Sequence, residues 1–206
     1  MWVKDHPGIA SLVKDFETVV VECHPKLINE RCLSFRDMLK PELQVAMGLE
    51  TANARVLDLL NKQMTTGDFR KSVQFLSSNQ ILSRAFILLK PPFLSEDEGI
   101  YWSERSMDFA FDAGVECCVV IPVRAGNGAM DHLMKEGSFS PPDLKSVEKV
   151  LEYGIGLNAG RVFADVWDIG TFSSCSDCTD RRKGRLTEMN LNQRIPDKVI
   201  CSCNSF

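Results

Sequence analysis

Four short apolar runs, each followed by a segment of helical period, constrain this chain more than any other feature. The runs are residues 17–22 (ETVVVE), 43–50 (LQVAMGLE), 83–89 (SRAFILL) and 116–123 (ECCVVIPV). Their length and β-branched content mark them as strands. Between them lie helical patterns. Residues 26–39 follow His24-Pro25, and proline suits a helix's first position. Thr51 is placed to cap residues 52–62, whose Val56, Leu59 and Leu60 share a face. Thr66 is placed to cap residues 67–79, with Phe69, Val73 and Leu76 on one side. Ser95-x-x-Glu98 forms a capping box, and the helix it opens runs to Ala113 before Gly114. Residues 127–136 and 142–153 supply two more helices, and residues 2–16 read as a helix ahead of the first strand.

Strands alternating with helices at this spacing predict an α/β fold with a parallel sheet of βα units. The runs are nearly continuous hydrophobes, as in strands covered on both faces. Residues 160–166 (GRVFADV) supply a fifth strand. The pattern does not separate an open sheet from a barrel, and in both ligands gather at the strands' C-terminal ends. From Thr171 onward the chain turns polar and cysteine-bearing, without visible periodicity, so it divides into residues 1–170 and a tail, 171–206.

Composition excludes several classes. With 206 residues, 44% apolar and 25% charged, the chain is an ordinary globular one. A net charge of −4 argues against a global electrostatic grip on nucleic acid, though not against a local patch. No apolar run approaches a membrane span, and the N-terminus lacks a signal-peptide pattern. The cytoplasm is the expected location, where eight cysteines suggest metal or redox chemistry rather than disulfides.

The strand ends carry Glu22, Glu50, Lys90 and Arg124, so a parallel sheet gathers two carboxylates and two cations on one rim. Singly, such charges mark where strands meet water. Together they suit a ligand with hydroxyl, amine or carboxylate groups. Pro91 and Pro92 stiffen the exit after Lys90 and aim it at that rim. His24 reads equally as an acid–base group or as a cap. Gly126-Asn127-Gly128 reads as a turn, because it lacks a dinucleotide fingerprint's third glycine. Cys23 sits on the rim and is a candidate reactive thiol, Cys32 reads as helix packing, and at least one of Cys117 and Cys118 should face the core.

In the tail, Cys175-x-x-Cys178 and Cys201-x-Cys203 match the ligand count of a tetrahedral metal site. Zinc is the commoner occupant, an iron–sulfur cluster the alternative. Between the pairs lie Arg181, Arg182, Lys183 and Arg185. They read either as a solvated loop or as a metal-stiffened basic knuckle that contacts RNA phosphates.

GLETANARVLDLLNKQMTTGDF, FILLKPPFLSEDEG and GSFSPPDLKSVEKVL resemble the radical S-adenosylmethionine superfamily. More narrowly, they resemble the branch that includes the radical-type subunit of archaeosine synthase, a tRNA-modifying system. The likeness covers about residues 17–157. It implies a partial (β/α) TIM-like barrel, roughly its last four βα units, followed by the cysteine-rich tail. It also implies S-adenosylmethionine and a [4Fe–4S] cluster as cofactors. Glu50 falls where the family binds ribose. Ile87, Leu89, Val120, Ile121 and Pro122 would flank the adenine, while Glu22, Lys90 and Arg124 would line the mouth. The family's Cys-x-x-x-Cys-x-x-Cys cluster loop is absent from the sequence. The expected protein is therefore the C-terminal part of a radical enzyme acting on a tRNA nucleobase, either a fragment of a longer gene product or one half of a split enzyme completed by a chain that carries the cluster-binding half. The alternatives are a zinc-stabilised RNA-binding module without catalysis, or a truncated remnant.

Overall fold

A computed structural model of the chain describes residues 3–204. Five strands form one parallel sheet: β1 (Thr18–Glu22), β2 (Glu42–Glu50), β3 (Leu82–Leu89), β4 (Cys117–Pro122) and β5 (Arg161–Ala164). Eight α-helices accompany them: α1 (His6–Leu12), α2 (Glu30–Arg36), α3 (Ala54–Leu59), α4 (Thr66–Ser78), α5 (Glu96–Ala113), α6 (Gly128–Lys135), α7 (Leu144–Gly156) and α8 (Ser176–Asn192).

Strand order in the sheet is sequence order, β1-β2-β3-β4-β5, with no reversal. Right-handed crossovers in an order that never reverses put every connecting helix on one face. That answers the question the sequence left open: this is a wall of a TIM-like barrel, not a doubly wound sheet. Burial agrees. On the helix side, Val45, Met47, Ala85, Ile87, Leu89, Cys118, Val120 and Val162 are buried in the main core. On the other, concave side, Arg84, Phe86, Leu88, Val119 and Ile121 are only partly buried. The expectation of strands covered on both faces is thus corrected for β3, where burial alternates strictly.

The local signals are mostly met. Ser95 and Glu98 form the reciprocal capping box of α5, which ends at Gly114. Asn127 caps α6. Three expectations shift. Asn53, not Thr51, caps α3. Thr65, not Thr66, caps α4 through a box with Asp68. The long helix expected over 26–39 is a short 3-10 turn, Pro25–Leu27, then α2 capped by Asn29. Trp2, at the start of the helix read over 2–16, lies outside the described residues.

The tail differs most from its reading. Residues 176–192 form a 17-residue helix packed on α7 and β5. Its inward face carries Cys178, Arg182, Arg185, Leu186 and Met189, one or two residues in each turn.

The two edges of the sheet are finished differently. Along β5, Arg161 and Asp165 hydrogen-bond inward to β4, so Val162 and Ala164 turn their backbone groups outward. Side-chain amides from α8 and its C-cap satisfy all four of these groups. Val162 donates to Gln193 Oε1 at 2.8 Å and accepts from Gln193 Nε2 at 2.9 Å. Ala164 donates to Asn190 Oδ1 at 2.9 Å and accepts from Asn190 Nδ2 at 2.8 Å. At β1, Glu17 and Cys23 bond toward β2, so Thr18, Val20 and Glu22 face outward, and among the described residues nothing covers them.

Candidate functional site at the strand ends and in the tail

The mouth of the concave face is a pocket of about 320 Å³ lined by Glu22, Cys23, His24, Ala46, Gly48, Glu50, Lys62 and Phe86. Glu50 ends β2 in a left-handed conformation (φ 64°), at a bulge where pairing with β3 skips from Gly48 to Glu50. A bulge re-aims the side chain at a strand end, and a left-handed non-glycine residue there is a strain the fold maintains. The Glu50 carboxylate accepts from Lys62 Nζ at 2.5 Å. Lys62 is presented by a tight turn whose neighbours Asn61 and Gln63 are also left-handed. His24 fixes that turn: Nδ1 accepts from the Lys26 amide, and Nε2 bonds the Lys62 carbonyl at 3.2 Å. His24 is therefore the cap of the two readings the sequence allowed. Gly48 leaves room for the pair, since a Cβ there would stand 2.9 Å from Lys62 Nζ.

The structure sorts the expected adenine-flanking residues by face. Ile87, Leu89 and Val120 are fully buried against the helices, and Pro122 follows Val120 on the same face. Their side chains do not reach the concave surface, so that assignment is corrected for these four. Ile121 does face the concave side, opposite Leu88 of β3, and Val119, two residues before it on β4, lies opposite Phe86. A two-residue period shared by both faces hid the distinction.

Lys90 is also corrected. It lies left-handed at the end of β3 (φ 54°) and is only 7% exposed. Its ammonium donates to Glu96 Oε2 at 2.6 Å, Ser140 Oγ at 2.8 Å and the Pro141 carbonyl at 3.2 Å. It thus ties the first turn of α5 to the loop before α7 and is not a wall of the Glu50 pocket. Burial raises the Glu96 carboxyl, but hydrogen bonds from Lys90, Ser146 and the Asp143 amide outweigh it and hold the group below its ordinary range. Close packing enforces the turn, because a Cβ on Gly99 would stand 2.8 Å from Lys90 Cβ. Arg124 likewise serves its own corner. It pairs with Asp165 at 2.8 Å and stacks between Trp167 and Phe172. Among the thiols, burial and then Cys32 push Cys23 up, which lowers the thiolate fraction the reactive reading needs. Cys117 and Cys118 are both buried.

In the tail, the sulfurs of Cys175, Cys178, Cys201 and Cys203 all lie within 4.8 Å of one another. The Cys175–Cys201 and Cys178–Cys203 separations are 3.7 Å and 3.5 Å. Thiolates about 2.3 Å from a tetrahedral ion stand roughly 3.8 Å apart. The group therefore fits one metal ion. A cluster interposes its own iron and sulfide between ligands and needs them wider. Thiols this close titrate together. Hydrogen bonds from the Cys203 backbone and then its side chain hold Cys201 down to about 6, while burial first and its thiol neighbours next push Cys203 up to about 12.

The arginines expected at an RNA surface divide. Arg182 and Arg185 are each 5% exposed and turn inward onto Glu148 of α7, Arg185 also reaching Glu152 at 2.7 Å. Arg182 Nε further donates to Cys178 Sγ at 3.3 Å. A helix face, not a loop, carries them, so their guanidinium groups are committed to the interior. Arg181 is exposed. Sequence reading missed Lys62, Glu96, Glu148 and Asp165, the partners of Glu50, Lys90, Arg182 and Arg124. Only Lys62 had a signal, the charge at the end of the α3 turn.

No family model matches the chain. By sequence it is 28% identical over 198 residues to archaeosine synthase subunit beta of Methanosarcina acetivorans, covering 90% of this chain and 56% of that protein. The same-named subunit of Thermococcus kodakarensis is 28% identical over 146 residues, 69% of this chain and 45% of that protein. The chain is similar in sequence to archaeosine synthase subunit beta, the branch its motifs resemble. An uncharacterized protein of Methanocaldococcus jannaschii is 24% identical over 202 residues, 93% of this chain and 55% of that protein. The chain spans about half the length of the curated relatives it matches. In fold it matches Elp3 of Methanocaldococcus infernus with a TM-score of 0.64 at 16% identity, over 86% of this chain and 43% of that one. It also matches a D-psicose 3-epimerase at 0.51 and 14% identity, over 90% and 65%. These two likenesses concern the fold alone. They agree with a partial TIM-like barrel.

Proposed function

We propose that this chain is the C-terminal wall of a radical S-adenosylmethionine enzyme that modifies a tRNA nucleobase, and that Glu50 holds the ribose of S-adenosylmethionine. The carrying observation is Glu50 itself: a carboxylate held left-handed at a strand end, on the open mouth of the concave face, with Phe86 beside it. Ribose hydroxyls donate to a carboxylate, and Phe86, Val119 and Ile121 offer an apolar surface for a base. When bound, S-adenosylmethionine and a reduced cluster supply the radical that abstracts hydrogen. The cluster does not fit these residues, which include no Cys-x-x-x-Cys-x-x-Cys segment, so the proposal requires that segment from elsewhere, in the same polypeptide or on a partner. Residues 171–206 act as a metal-bound appendage holding one tetrahedral ion, with zinc proposed as the commoner occupant of such a site. Of the four basic residues between the cysteine pairs, only Arg181 and Lys183 are exposed for the reading as an RNA-binding module.

The test is S-adenosylmethionine binding by the chain joined to a polypeptide bearing the three-cysteine loop. Saturable binding that Glu50→Gln weakens about tenfold or more supports the proposal. Equal binding by wild type and Glu50→Gln removes Glu50 from the site. Metal analysis should find one ion per chain, lost in Cys175→Ser/Cys201→Ser.

A further inference from the structure

One helix links the four-thiol group to the edge of the sheet. Cys175 and Cys178 stand at the start of α8, and Asn190 and Gln193 at its end. At about 1.5 Å per residue, Cys178 and Gln193 are roughly 22 Å apart. The face between them makes contact at every turn. Arg182 reaches Glu148, Arg185 reaches Glu148 and Glu152, Leu186 and Met189 are fully buried, and the two amides satisfy the outer edge of β5.

The returning segment has little apolar hold of its own. Ile195 and Ile200 are 47% and 85% exposed. Its attachments are polar: Arg185 donates to the Pro196 and Asp197 carbonyls, Arg181 to the Ile200 carbonyl, and Lys145 of α7 to the Cys203 carbonyl. The meeting of four sulfurs adds to these bonds in holding residues 201–203 at the start of α8. Without a bound ion, four adjacent thiolates repel and four thiols attract only weakly. The segment then loses that part of its hold, which weakens the seat of the carbonyls that Arg185 donates to.

We propose that the metal held by Cys175, Cys178, Cys201 and Cys203 is the remote anchor of an edge seal: it keeps α8 docked so that Asn190 and Gln193 occupy the free side of β5. This rests on reading the four thiols as a metal site. It does not depend on S-adenosylmethionine chemistry. The role of the ion is to keep a parallel strand from presenting unpaired backbone, the exposure that makes sheet edges adhesive.

Amide hydrogen exchange on the metal-loaded chain tests it. Withdrawing the metal with EDTA should speed exchange at Val162 and Ala164 about tenfold or more, with Ile87 of β3 unchanged. Coupling between two sites is reciprocal. The double variant Asn190→Leu/Gln193→Leu, which touches no sulfur, should therefore surrender metal to EDTA at several-fold lower chelator concentration. That second arm decides the matter even if metal loss unfolds the whole chain. Unchanged metal affinity in the double variant overturns the proposal, as does unchanged exchange at Val162 and Ala164 in folded, metal-free protein. A chain that binds no metal overturns both the metal reading and the seal, whereas bound metal without coupling overturns the seal alone.

Discussion

The ammonium of Lys62 meets the carboxylate of Glu50 at 2.5 Å, over a glycine that leaves the space for it. Both groups are mostly buried, with side chains 26% and 16% exposed. Gly48→Ala puts a methyl 2.9 Å from Lys62 Nζ and 3.2 Å from Glu50 Cδ, so the pair must part. It should cost about 1–3 kcal/mol, the usual range for overpacking. Lys62→Met should cost a similar amount, about 1–3 kcal/mol, by leaving a half-buried carboxylate without its donor. Urea midpoints at constant slope check both.

Neighbouring residues on β3 should behave oppositely. Ile87→Ala hollows the helix-side core and should destabilise by about 2–5 kcal/mol. Phe86→Ala removes a ring from the open face and should cost much less, while weakening S-adenosylmethionine binding in the completed enzyme. A Phe86 variant as unstable as the Ile87 variant would contradict the assignment of faces.

Glu148 sits between two arginines, and the order of its variants follows from that. Glu148→Gln leaves Arg182 and Arg185 facing each other in the interior and should cost about 3–5 kcal/mol. Arg182→Met leaves Glu148 with Arg185 and should cost less. Denaturant melts of the two proteins give the order directly.

Acid should loosen the Lys90 tie. The Glu96 carboxyl is held below its ordinary range, so its contribution is complete above the unfolded value of about 4.3 and drains away as pH falls through the lower, folded value. The difference in melting temperature between wild type and Glu96→Gln should be constant from pH 7 to about 5, then shrink below about 4.3. A difference that grows in acid would reverse the sign and refute the tie.

Much of this was legible beforehand, for reasons particular residues make plain. Strands were readable because parallel strands concentrate β-branched residues, even at the exposed edge: Val19, Val20 and Val21 in β1, and Val119, Val120 and Ile121 in β4. The cysteine pairs were readable because ligand spacing is local. Helix α8 was not, because its inward face holds two arginines where a periodic reading looks for leucines, and Glu148, which makes them tolerable there, is 34 positions from Arg182. Lys90 was misread for a related reason. A lysine at a strand end looks like a rim charge until Glu96, Ser140 and Pro141 are seen to enclose it.

The unequal edges also bear on how copies of this chain can meet. Head-to-tail addition, with β1 of one molecule against β5 of the next, repeats into a ring where the rotation closes and into a fibre where it does not. Asn190 and Gln193 already occupy the acceptor side of that contact. The edge left open is β1, the side on which the cluster-bearing half of the proposed enzyme would add its strands. A pair of side-chain amides thus gives the sheet a direction, finished at one end and extendable only at the other.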